Sequence, residues 1–343
     1  MNYSVTNGKY DLAAKIWRNR YQKVAFIQPK NLGDCLLLCS VAANLQNQID
    51  AQVTIYTKEQ NRQIVKLFPQ LLFEKFEGGP LTSHLVLGCK LLLNQLKTRT
   101  FIFNASESSS GMFIGLLNKN HTASFVNLRH PVLSSSASKY SSKLNLYRRE
   151  KIDQYQDLVM TSPFGPKYVV STVKPKTFNK EGRTIVVNPE SRWKFKSPNQ
   201  AIWTQLLQRI KNRYPEVDLI LVGDAINTEL SGIEAIDLRG NTTIIELTEI
   251  IDNASYFIGC DSLAGHIANL CSTPGVVLFG PTDSHIWGHQ KGSAKPFCSD
   301  LFSCVPCNQD GCDGSKVSQC LQYDDREINL LFQRVSTEID HLL

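Results

Sequence analysis

The sequence predicts an α/β protein built from two doubly wound parallel-sheet halves. Three observations carry this. Short apolar runs alternate with helical-period segments along most of the 343 residues, the pattern of parallel strands covered by helices. A polar, proline- and lysine-containing stretch interrupts that alternation near the middle, and the series then resumes. Most of these apolar runs end in small-residue or charged turns that lead into a helix, so the polar turns gather at the carboxyl ends of strands.

In order, residues 1–22 are a polar extension. Lys23 to Ile27 is the first strand, Gln28 to Asp34 its turn, and Cys35 to Asn47 a helix. Strand and helix then alternate as 52–56, 59–68, 72–76, 85–96, 100–103, 109–117 and 124–126. The stretch 130–151 breaks the pattern with a serine run and a basic cluster. It reads as a surface loop, either solvated or suited to an anionic acceptor through Arg129, Lys143, Arg148 and Arg149. Ile152 to Met160 is a helix that closes a first domain of residues 23–165, and 166–180 is the linker. The second domain, 181–325, runs through a strand at 184–189 and a helix at 201–214 whose apolar positions 202, 203, 206, 207 and 210 form one face. Strands at 218–222 and 235–238 and a helix at 244–253 follow, and residues 326–343 form a terminal helix. Two such halves joined by a linker place a cleft between them.

The stretch Tyr256 to Pro281 is the strongest local signal. Tyr256 to Gly259 is a buried strand, Asp261 to His266 a small-residue turn, Ile267 onward a short helix, and Val276 to Phe279 the next strand. A turn at a helix N-terminus offers free N–H groups and a favourable dipole to phosphate. It is equally the ordinary cap of an α/β unit. Asp261 would repel phosphate and is expected to face sugar hydroxyls. Arg192, Lys194 and Lys196, after the strand at 184–189, add cations at a strand end, suited to clamping a diphosphate. Asp34 at the first helix start is either a helix-dipole or capping residue or a general base.

Composition bounds the partners. A hydrophobic content of 42%, a charged content of 20% and a formal charge of +6 fit a globular protein for acidic small molecules and give no reason to invoke nucleic acid. No apolar run approaches the roughly 20 residues of a membrane span, and the first residues lack an apolar signal core, so a cytoplasmic place is expected. Cys35, Cys39, Cys89, Cys260 and Cys271 are scattered, as small buried residues are. Cys304, Cys307, Cys312 and Cys320, with Cys298 nearby in the segment 298–320, are spaced for a four-thiolate structural zinc or iron site, for disulfides, or for free thiols.

Four features, in this order and spacing, resemble glycosyltransferase family 9, the lipopolysaccharide-type heptosyltransferases. They are Lys30-Asn-Leu-Gly-Asp34, Lys196 ahead of the helix bearing Trp203, Leu238-Arg-Gly-Asn-Thr-Thr-Ile-Ile-Glu-Leu247, and Asp261-Ser262 with His266 followed by Phe279-Gly-Pro-Thr282. The resemblance covers about residues 23–325. It implies the GT-B arrangement, two Rossmann-like domains facing across a cleft, and an inverting transfer of heptose from a nucleotide (ADP-) heptose to a hydroxyl. By position it makes Asp34 the general base and Lys196, with Lys194 as rival, the partner of the leaving diphosphate. Ser262, Leu263 and Ala264 become the phosphate turn, Asp261 the sugar carboxylate, and His266 either a direct contact or a brace for that turn. Lys30 and Asn31 replace small hydroxyl residues at the donor, Glu229 is the offset candidate for the ribose, and the backbone from Thr242 faces the base. No cofactor is required for catalysis. The acceptor is an anionic glycan, a lipid or a protein, with peripheral contact at the inner face of the inner membrane. The alternatives are a protein O-heptosyltransferase, another nucleotide-sugar transferase or epimerase, and a non-catalytic binding paralogue.

Overall fold

In the computed structural model, residues 21–95, 98–105, 110, 112–126, 140–143, 150–160, 162, 183–224, 230 and 232–342 are described. Arg129, Arg148, Arg149, Glu229, most of the N-terminal extension and the linker 166–180 lie outside them. The chain divides into two compact units, Met1–Val173 and Lys174–Leu343.

The first unit holds β1 (Lys23–Ile27), α1 (Leu32–Gln46), β2 (Gln52–Thr57), α2 (Arg62–Lys66), β3 (Leu72–Lys75), α3 (Leu81–Gln95), β4 (Thr100–Asn104), α4 (Met112–Leu117), β5 (Thr122–Val126), β6 (Tyr140–Lys143) and α5 (Lys151–Met160). The sheet order is β3-β2-β1-β4-β5-β6, and its pairings are parallel. β4 is buried along its whole length, as a central parallel strand must be. α1 is apolar nearly all round, with Cys35 through Leu45 buried. It packs against α5, which explains why its sequence shows no polar face.

The second unit holds β7 (Thr184–Asn188), α6 (Gln200–Arg213), β8 (Asp218–Leu221), β9 (Ile236–Asp237), α7 (Ile244–Asn253), β10 (Tyr256–Cys260), α8 (Leu263–Cys271), β11 (Gly275–Phe279), α9 (Ser284–Trp287), β12 (Ala294–Cys298) and α10 (Asp325–Asp340). Its order, β12-β11-β10-β7-β8-β9, repeats that of the first sheet when read from the other edge. Both sheets are thus doubly wound and reverse direction at one point, between β1 and β4 and between β7 and β10, where such sheets bind ligands. The predicted core face of α6 is buried with Ile258, Val276 and Leu278 of the sheet and Leu331 and Val335 of α10.

The structure corrects several sequence expectations. Helix α8 starts at Leu263, not at Ile267, so the turn is only Asp261-Ser262. Gly265 lies inside the helix because a Cβ there would come within 3.2 Å of Val277, so the small residue serves helix-to-strand packing. Residues 140–143, read as loop, form the edge strand β6. Its Tyr-Ser-Ser-Lys sequence carries no apolar signal, and the strand exists through backbone pairing with β5. Lys143 therefore sits on a strand, not in a loop. The helix expected at 59–68 is a 3-10 turn followed by the short α2. Strand β12 has a proline within it and was not legible; it pairs at the sheet edge with β11, where a proline is tolerated.

Candidate active site

In the first unit the loop after β1 is stitched from several sides. Thr57 Oγ1 donates to the Gln28 carbonyl at 2.6 Å, and Asn61 Nδ2 donates to the Lys30 carbonyl at 3.0 Å. Asn31 is the N-cap of α1, but it is exposed and makes no side-chain capping bond. Asp34 lies in the first turn, where the dipole favours a carboxylate. The buried Tyr155 of α5 donates to Asp34 Oδ1 at 3.0 Å, and Lys30 Nζ stands 4.0 Å from the same oxygen. Lys30 is therefore a neighbour of Asp34 in the first unit.

In the second unit the strand ends β7, β8 and β10 are tied by Asn188. Its Nδ2 donates to the Val222 carbonyl at 3.0 Å, and its Oδ1 accepts from Ser262 Oγ at 2.6 Å. Ser262 is the N-cap residue of α8, yet its hydroxyl is spent on Asn188 and does not cap the helix. Among the described residues nothing accepts from the N–H groups of Leu263 and Ala264, which stand open at the helix start. Beside them, Lys196 Nζ donates to Asp261 Oδ2 at 2.7 Å and Thr282 Oγ1 donates to the same oxygen at 2.6 Å. Asp261, expected to face sugar hydroxyls, has Oδ2 engaged by both. It is only 4% exposed, and Lys196 19%, because a buried carboxylate needs a paired cation and a donor. Lys194, one residue from the middle of the same 3-10 turn, is exposed. The structure thus brings Lys196 to the amide-lined turn and leaves its rival at the surface.

His266, in the first turn of α8, contacts His289, with Nδ1 and Nε2 3.1 Å apart. Burial, reinforced by the neighbouring His266, lowers the His289 pKa to about 3, so His289 is neutral near pH 7. Thr242 is half-buried just ahead of α7, and Thr243 and Glu246 form a reciprocal capping box. That explains the Thr and Glu of this segment as a helix start. Sequence reasoning missed Asn188, Thr282's bond to Asp261, Arg239 and Tyr155. Arg239 is buried between Asp237 at 2.7 Å and Glu190 at 3.4 Å, and it holds the Asp237 carboxyl below its usual range. A buried arginine between two acids has no one-dimensional signature.

The cysteine segment buttresses the same turn. Ser318 Oγ donates to the Phe195 carbonyl at 2.6 Å, and Asn308 N–H donates to the Pro281 carbonyl at 2.8 Å. Phe195 precedes Lys196, and Pro281 precedes Thr282. Burial first, then charge on Cys307, Cys312 and Cys304, pushes the Cys320 thiol up to about 12. Among the described residues no three His, Cys, Asp or Glu side chains already stand as a metal cage. Cys298, Cys304, Cys307, Cys312 and Cys320 are free thiols in this structure.

The two doubly wound parallel sheets make this a two-domain α/β protein with the GT-B fold. The model of Glycosyltransferase family 9 (heptosyltransferase) matches residues 133–318, more than half of the chain, and the chain belongs to that family. It is 32% identical over 111 residues to lipopolysaccharide heptosyltransferase 3 of Escherichia coli K12, covering 30% of this chain and 32% of the relative. To lipopolysaccharide heptosyltransferase 1 of Pseudomonas aeruginosa it is 28% identical over 163 residues, covering 44% of this chain and 45% of the relative. The chain thus spans less than half the length of these curated relatives. The solved structure of E. coli ADP-heptose lps heptosyltransferase II superposes with a TM-score of 0.68 at 16% identity, covering 93% of this chain and 98% of that one, a likeness of fold.

Proposed function

We propose that this protein is an inverting glycosyltransferase that moves a heptose from ADP-heptose to an acceptor hydroxyl in lipopolysaccharide or related glycan synthesis. One observation carries the reading. A buried ion pair, Lys196 with Asp261, stands at the open N-terminus of α8. A cation beside free N–H groups suits a diphosphate, whose charge grows as it leaves. Family membership and the ADP-heptose named for the superposed structure favour the donor. In the reaction, the acceptor oxygen attacks the anomeric carbon and passes its proton to Asp34. The anomeric carbon–oxygen bond breaks, and ADP leaves with the electron pair. Lys196 offsets the charge on ADP, the N–H groups of Leu263 and Ala264 bind phosphate, and Asp261, turned partly toward Lys196, meets sugar hydroxyls with its other oxygen.

The acceptor is an anionic glycan, a lipid or a protein, reached by peripheral contact with the inner face of a membrane. Among the described residues no helix is long and apolar enough to cross one. The four cysteines are proposed to hold a structural zinc or iron, which their donor set fits. Bound there, it would stiffen the segment behind Phe195 and Pro281 and take no part in the chemistry. Elemental analysis of reductively purified protein should give near-stoichiometric metal; intact folding without metal overturns this. Calorimetry with ADP, ADP-heptose and UDP-sugars tests the donor. Binding of UDP-sugars without ADP-sugars would overturn the assignment, and heptose transfer to lipopolysaccharide would support it.

A further inference from the structure

We propose that Tyr155 is a positioning residue for Asp34, selecting the carboxylate oxygen left open to the acceptor proton; this rests on the role given to Asp34 above. The argument follows protons along a buried chain. The Lys30 N–H, which can only donate, lies 2.7 Å from Gln28 Oε1. That bond fixes the orientation of the Gln28 amide. Gln28 Nε2 therefore faces Tyr155 and donates to its phenolic oxygen at 2.7 Å. The phenol accepts there, and its single proton goes to Asp34 Oδ1 at 3.0 Å. Every link has one direction, because each end is a pure donor or a pure acceptor.

The consequence falls on Asp34. Oδ1 is engaged by Tyr155 and faces Lys30 Nζ at 4.0 Å. Among the described residues nothing donates to Oδ2. The side chain is 12% exposed, so one oxygen is wired into the interior and the other is free for a ligand. Gln28 and Tyr155 are both fully buried, at 0% exposure, so the link between them lies out of solvent. Tyr155 lies on α5, 121 positions further along the chain from Asp34. A base must be held in place to act. Here Tyr155 reaches Asp34 from α5, a helix packed on the α1 that carries Asp34.

The experiment uses the full chain, with ADP-heptose as donor and lipopolysaccharide as acceptor. Tyr155→Phe keeps the ring and removes the proton. The expected result is a loss of roughly 10- to 100-fold in kcat, with donor affinity and acceptor KM unchanged. The same change in an Asp34→Asn background should leave the residual rate where Asp34→Asn alone put it, because the two act as one unit. An equal fold-loss in both backgrounds, or a lowered melting temperature with unchanged kcat, overturns the proposal and leaves Tyr155 a packing residue. Turnover that survives Asp34→Asn would instead remove the base itself, a failure readily told from an inactive Asp34→Asn beside a fully active Tyr155→Phe.

Discussion

The two switch-point turns carry a carboxylate each, and the protein treats them in opposite ways. After β10, Asp261 is buried and its Oδ2 is taken by both Lys196 and Thr282. After β1, Asp34 is only partly covered and gives one oxygen to Tyr155. Asp261 is neutralised in place and holds a cation beside the open N-terminus of α8. Asp34 is oriented but not consumed. The same residue type, at turns on opposite flanks of the switch point, is therefore a counter-ion in one unit and keeps one oxygen unengaged in the other. Topology places the carboxylates; the partners brought by other elements decide what they can do.

The largest expected effect breaks the first turn. A positioned general base contributes roughly 10²–10⁴-fold in rate. Asp34→Asn is nearly isosteric and still accepts from Tyr155, so folding and donor affinity should stay near wild type while transfer is lost. Because asparagine keeps the bond from Tyr155, melting temperature should barely move. Wild-type turnover with a lowered melting temperature would mean that the two carboxylates are both structural, and the contrast would vanish.

The second turn is tested by charge. Lys196→Ala leaves Asp261 buried with Thr282 alone, and removing one partner of a buried pair costs on the order of 3–5 kcal/mol. Both melting temperature and ADP affinity should fall. Lys194→Ala, at an exposed position on the same 3-10 turn, should change neither. Lys196→Met with Asp261→Asn should recover melting temperature but not ADP affinity, separating the cation's part in the fold from its part at the ligand. Equal, small effects of Lys196→Ala and Lys194→Ala in calorimetry and thermal melts would reduce the loop to surface.

How far the sequence reveals this contrast depends on how local each interaction is. The alternating pattern exposes both doubly wound halves, because strand and helix periods are written within a few residues. Asp34, Lys196, Asp261 and Ser262 are visible because each sits at a strand end in a short motif. Their fates are not visible. Tyr155 reaches Asp34 across 121 positions and Ser262 reaches Asn188 across 74, and nothing in either local sequence marks a partner so distant. The edge strands β6 and β12 escape for a related reason. They are held by pairing with a neighbour, so they need no apolar run of their own. The start of α8 is hidden in the sequence because Gly265 reads as a turn residue, whereas its smallness answers to Val277 on β11.

The smallest effect concerns the histidine pair behind the second turn. His289, just beyond α9, lies with Nε2 3.1 Å from His266 Nδ1, and burial holds its pKa at about 3. The unfolded chain protonates an ordinary histidine at about 6.5. Between those values the unfolded state binds the proton and the folded state does not, so stability rises with pH across that window. The contribution is fully present above about 6.5 and is lost as pH falls toward about 3. At pH 5.5 the loss should be about 1 kcal/mol relative to pH 7.5. His289→Gln can still hydrogen-bond His266 but does not titrate, so it should flatten this part of the stability profile. Denaturant melts of both proteins at pH 7.5 and 5.5 measure the difference directly. Parallel profiles would show that His289 takes up its proton in the folded protein, and that the anchor of His266 is open to water. The second turn would then share the exposure of the first, and the contrast between the two units would rest on Asp261 and Lys196 alone.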